Sequence, residues 1–137
     1  MADVDLTAFV AQKKREFATQ NQSSARFEDD VRDSINRAIN VMNREGNFAT
    51  QITRISSLTG DVENLDEKYE DVLSDGTSVF LMKGGRRPPR GAGKALTEIN
   101  SQFLDGIQSM ATDIRNIAQD ADTDDETVTS IGLGPLG

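Results

Sequence analysis

The chain has 137 residues, 36% apolar and 28% charged, with a net charge of −8 and no cysteine, histidine or tryptophan. That length suits one domain, and the thin apolar share predicts a compact helical body with arms outside it. Without cysteine there are no disulfides or thiolate metal sites, and without histidine the usual general base and the commonest metal ligand are missing, so enzyme chemistry and bound cofactors are not expected.

Asp3 or Asp5 caps a first predicted helix running to about residue 18, with Leu6, Phe9, Val10 and Phe17 on one face. The polar link 19–24 ends at Ser24, a candidate N-cap for a second helix to about Arg44. In it Phe27, Val31, Ile35, Ile39 and Met42 recur at helical spacing, and Gly46 supplies a stop. Residues 50–58 are rich in Thr and Ile and predict a short extended segment, although Ile52, Ile55 and Leu58 do not alternate. Thr59, Gly60 and Asp61 form a turn signal. Asn64 or Asp66 then caps a third helix carrying Leu65, Tyr69, Val72 and Leu73, which Asp75 and Gly76 interrupt. Val79 and Phe80 extend its apolar face, so 77–82 reads as kinked helix rather than strand.

Residues 84–93 hold Gly and Pro in a basic loop, with Arg86, Arg87, Arg90 and Lys94 as its cations. A fourth helix over about 94–118 has the clearest pattern, an apolar seam of Leu96, Ile99, Phe103, Ile107, Met110, Ile114 and Ile117. The simplest reading packs that seam on the other helices of the same chain; the alternative pairs it with a second chain. Residues 1–118 thus form one mainly α domain, a small bundle of about four helices. Residues 119–137 form an acidic, Gly-containing arm; a plain disordered tail is the simplest reading, and the apolar residues near its end favour an extended arm docked on another chain. Its candidate contacts are the acidic Asp120, Asp122, Asp124, Asp125 and Glu126 and the apolar Ile131, Leu133 and Leu136.

Several motifs fail on inspection. Gly91, Ala92, Gly93 and Lys94 suggest a phosphate loop, but Pro88 stands where its first Gly belongs and Ala95 where Ser or Thr belongs. Asp120, Asp122 and Asp124 begin like a calcium loop, but Asp125 replaces the turn Gly and Ile131 the bidentate Glu. Carboxylate pairs fall on helix faces beside Lys or Arg, and a Ser–Lys dyad is not legible from spacing. The basic loop has two readings, a solvated loop whose charge is incidental and a docking loop, the second because Arg forks pair with carboxylates and Pro limits the entropy lost on binding. The acidic stretch of a neighbouring copy is its natural partner, with charge setting register and apolar burial the affinity. No apolar run approaches the ~20 residues of a membrane span, and the acidic, polar start is no signal peptide. With only one basic loop, free nucleic acid is not an expected main partner.

Over about residues 5–89 the chain resembles the head-to-tail adaptor (connector, head-completion) proteins of tailed bacteriophages. The segments that carry the likeness are LTAFVAQKKREF, FEDDVRDSINRAI, QITRISSLTG and LDEKYEDVLSDG, followed by TSVFLMK and GGRRPP. The chain departs from the family in aromatic content, Phe80 being the one aromatic residue of TSVFLMK. The resemblance implies a virion neck protein, assembled in the bacterial cytoplasm. About twelve copies would form a ring on the portal protein by closed heterologous contacts. Such a ring lets DNA pass without sequence-specific binding, presents a face to the next neck or tail protein, and uses its arms for docking. The competing reading is a small helical secretion or interaction factor, or an assembly chaperone, dimerising through the 96–117 seam.

Overall fold

The computed structural model describes residues 2–17, 25–86 and 95–126, with side chains described as far as residue 119. Among these residues it is mainly helical, in the order β1 (Asp3–Asp5), α1 (Leu6–Glu16), α2 (Ala25–Gly46), β2 (Asp61–Asp66), α3 (Glu70–Lys83) and α4 (Leu96–Glu126). A 3-10 turn, Glu67–Tyr69, leads into α3.

Helix α2 is the hub. Phe27, Val31, Ile35, Ala38, Ile39 and Met42 are all fully buried, at the three- and four-residue spacing that puts them on one stripe. α3 and α4 pack on that stripe. Asp5 caps α1 by accepting from the Thr7 N–H at 3.0 Å, and Leu6, Phe9, Val10 and Phe17 all face the core.

Two glycines that read as breakers are close-approach sites instead. α3 runs unbroken through Asp75 and Gly76, against the expected interruption. A Cβ on Gly76 would lie 2.5 Å from the Phe103 ring and 2.8 Å from the Ala38 Cβ, so this glycine lets α2, α3 and α4 meet. Gly46 is the last residue of α2, and a Cβ there would meet the Phe48 ring at 2.3 Å. The stop itself falls to Asn47, whose φ of 49° is left-handed and whose N–H returns to the Asn43 carbonyl at 3.2 Å.

The β structure lies elsewhere than the Thr and Ile content suggested. β1 and β2 pair antiparallel, with Val4 opposite Val62 and Asp5 opposite Asp61. Asp3 pairs with Asp66, so residues 63–65 bulge from the ladder. Asn64 sits in the bulge at φ 69°, which removes it as a helix cap, whereas Asp66 does cap the 3-10 turn through the Lys68 N–H. The bulge turns both Val62 and Leu65 fully into the core.

Residues 50–58 belong to no ladder, yet their path is fixed. Asn36 accepts from the Ile55 N–H at 2.8 Å and donates to the Ile55 carbonyl at 2.9 Å. Asn43 repeats the pattern on Ile52, at 2.8 and 2.9 Å. Two turns of α2 rise about 10.5 Å and three extended residues span about 10 Å, so amides seven apart on the helix meet residues three apart on the segment. The three-residue spacing of Ile52 and Ile55 is therefore the spacing that fits α2.

Candidate functional site

The fourth helix carries the surface of most interest. In its first half Phe103, Ile107, Met110 and Ala111 are buried against α2 and α3. Then the cover ends: Ile114 is half-buried and Ile117 is 46% exposed. The helix continues to Glu126, about 14 Å beyond Ile117 at ~1.5 Å per residue. The expected helix end near 118 is thereby corrected, and Asp120, Asp122, Asp124, Asp125 and Glu126 stand on helical backbone rather than an extended arm. Ile131, Leu133 and Leu136 lie outside the described residues.

Where the cover ends, a cavity of about 220 Å³ opens between α4 and the β2–α3 junction. Met110, Ile114 and Ile117 form its apolar side, and Asn64, Asp66, Lys68 and Tyr69 face them. The Tyr69 hydroxyl donates to Asp113 Oδ2, and Lys68 Nζ lies 3.5 Å from the same oxygen. Lys68 also sits 5.2 Å from the centre of the Tyr69 ring. Partial burial, helped by the bond to Asp113 and its charge, raises the Tyr69 pKa well above its ordinary 10.0. The Tyr69 bond, with lesser help from Lys68, holds Asp113 below its ordinary 3.8. This cluster fastens α4 at the last turn that the bundle covers. Sequence reading placed Tyr69 on a buried helix face and missed Lys68 and Asp113; the clue was the apolar seam running past the end of the other helices.

The predicted docking loop is described only at its start. Arg86 Nε and Nη2 each lie 2.8 Å from Asp30 Oδ2, and the guanidinium stacks 4.6 Å from the Phe27 ring. The Arg86 backbone N–H donates to the Leu81 carbonyl at 3.0 Å. Arg86 thus ties the end of α3 to the start of α2. Arg87, Arg90 and Lys94 lie outside the described residues. Beside Arg86 a polar groove of about 400 Å³ brings Asp30, Asp33, Arg37 and Lys83 together.

One buried charge went unforeseen. Lys13, 1% exposed, donates to Glu16 Oε1 at 2.7 Å, Ser74 Oγ at 2.7 Å and Ser78 Oγ at 2.8 Å. Burial lowers its pKa below 10.5, and the Glu16 hydrogen bond and charge offset part of that. A lysine beside serines suggests a nucleophilic dyad, but all three ammonium donors are engaged and Lys13 and Ser78 are buried among packed helices. The group is a pin between α1 and α3. Among the described residues no group of acidic side chains is placed to hold a metal ion, and no helix is long and apolar enough to cross a membrane. No family model, curated protein or solved structure matches the chain.

Proposed function

We propose that this chain is a structural subunit of a phage neck. Copies of it would form a ring on the portal protein, conduct DNA from head to tail and receive the next neck or tail component. It performs no catalysis in this role and takes no cofactor. The observation that carries the reading is the last apolar turn of α4, where Met110 is buried, Ile114 is half-buried and Ile117 is 46% exposed, on a helix that continues to Glu126. An apolar seam whose last member, among the described residues, is exposed on a helix that runs on suits a protein whose last contacts are made with other chains. The likeness over residues 5–89 to head-to-tail adaptors supplies the identity of those chains. A net charge of −8 suits a conduit, since like charge keeps passing DNA from adhering. In the assembled ring, acidic side chains are expected to line the lumen, and an arginine-lined lumen would reject that part of the reading.

The rival reading, a small interaction factor paired through 96–117, has less surface to use, because Phe103, Ile107 and Met110 are already buried within the chain. Light scattering on the purified protein, alone and mixed with portal protein, separates the two. The neck reading expects a monomer or weak oligomer alone and a stable ring-on-ring complex with portal. A tight dimer indifferent to portal would reject it.

A further inference from the structure

The cavity beside the end of α4 lacks an apolar cover within the described residues, and the chain carries a segment suited to it. Residues 127–137 read TVTSIGLGPLG, with no charged side chain and with Ile131, Leu133 and Leu136 spaced by glycines. They follow the acidic stretch at the projecting end of α4. To reach the cavity of its own chain, this segment would have to reverse within Thr127, Val128, Thr129 and Ser130. That stretch holds no Gly, Pro, Asn or Asp and consists mostly of β-branched residues, which favour extended backbone. Without such a reversal its own cavity lies behind it, and the cavity of a second copy is the one within its reach.

We infer that residues 127–137 of a second copy occupy the cavity formed by Met110, Ile114, Ile117 and Tyr69, placing aliphatic side chains against Ile117. The contact is head-to-tail, since the surface that gives and the surface that receives differ; repeated, it closes a ring or runs on as a filament. The inference rests on the assembly reading above and names the partner of its exposed seam.

Tyr69 is the only tyrosine in a chain without tryptophan, so its emission reports on the cavity directly. The acceptor is the full chain carrying Leu133→Asp and Leu136→Asp, which removes competition from its own segment; the ligand is a synthetic peptide of residues 127–137. A saturable change in Tyr69 emission is expected, weakened roughly tenfold or more when the acceptor also carries Ile117→Asp, because one aliphatic side chain loses its burial. Ile117 is 46% exposed, so this variant keeps its fold. No emission change, or an equal response from both acceptors, overturns the inference. In sedimentation, the Ile117→Asp chain and the Leu133→Asp, Leu136→Asp chain are each expected to be monomeric and to form a heterodimer when mixed. A mixture that stays monomeric overturns the inference, as does a monomeric wild-type chain whose own residues 127–137 cover Tyr69. Neither experiment contains portal protein. If they fail while the portal complex still forms, the neck reading stands and only the seat of this segment is wrong.

Discussion

Asn36 and Asn43 each do for residues 50–58 what a neighbouring strand would do, closing a donor and an acceptor on one residue. Asn36→Ala leaves the Ile55 N–H and carbonyl without that partner, and a loss of about 1–3 kcal/mol is expected in urea unfolding. Lys13 gives a second case. Lys13→Met keeps most of the volume but leaves the Ser74 and Ser78 hydroxyls without their donor, a loss of about 1–3 kcal/mol; Lys13→Ala opens a cavity as well and costs about 2–5 kcal/mol. A Lys13→Met variant as unstable as Lys13→Ala would show that the pin depends on its hydrogen bonds rather than on packing. The two shifted basic-range groups act in opposite senses. Lys13 binds its proton less well folded than unfolded, so its share of stability rises with pH until about the unfolded value of 10.5. Tyr69 holds its proton more tightly when folded, so its share is present below about 10.0 and lost above it. Tyr69→Phe is expected to flatten the loss of stability above pH 10.0, as measured by thermal unfolding across a pH series.

At the scale of elements, periodicity was a good guide wherever one face meets one core. The large members of the α2 stripe, Phe27, Val31, Ile35, Ile39 and Met42, were legible because each is buried on a single side, whereas the small Ala38 was not. Gly76 was misread because a glycine's helix-breaking tendency is local, whereas its value here comes from the Phe103 ring and Ala38, which are distant in sequence. Gly76→Ala is expected to destabilise by about 1–3 kcal/mol despite alanine's better helix propensity, with Phe103→Leu in the same chain recovering part of it. The paired strands were invisible because β1 is 3 residues long and the bulge in β2 breaks the alternation that marks a strand. The end of α4 was set too early because the apolar seam gives way there to Asp- and Thr-rich sequence, and both residues are weak helix formers. Of the candidate site, the seam was legible but not its uncovered end, which depends on where the other elements stop.

For the whole molecule, the body and the projecting helix are separable in energy. Among the described residues, the largest fully buried side chains stop at Ile107, and the last buried side chains in α4 are Met110 and Ala111. Truncation after Ala118 is therefore expected to leave the thermal midpoint and helical signal of the body nearly intact while abolishing assembly with portal. Collapse of the body on truncation would mean that the distal helix contributes to the core.

The match between α2 and residues 50–58 also constrains how such a chain can change length. The two asparagines work as marks on two rulers of different pitch, one graduated in sevens and the other in threes. A single-residue deletion between Ile52 and Ile55 puts both rulers out of step, whereas adding seven residues to the helix together with three to the segment restores their alignment. Natural length variants of this fold should accordingly come in such paired steps, each bringing another amide-bearing residue along the same edge of the helix.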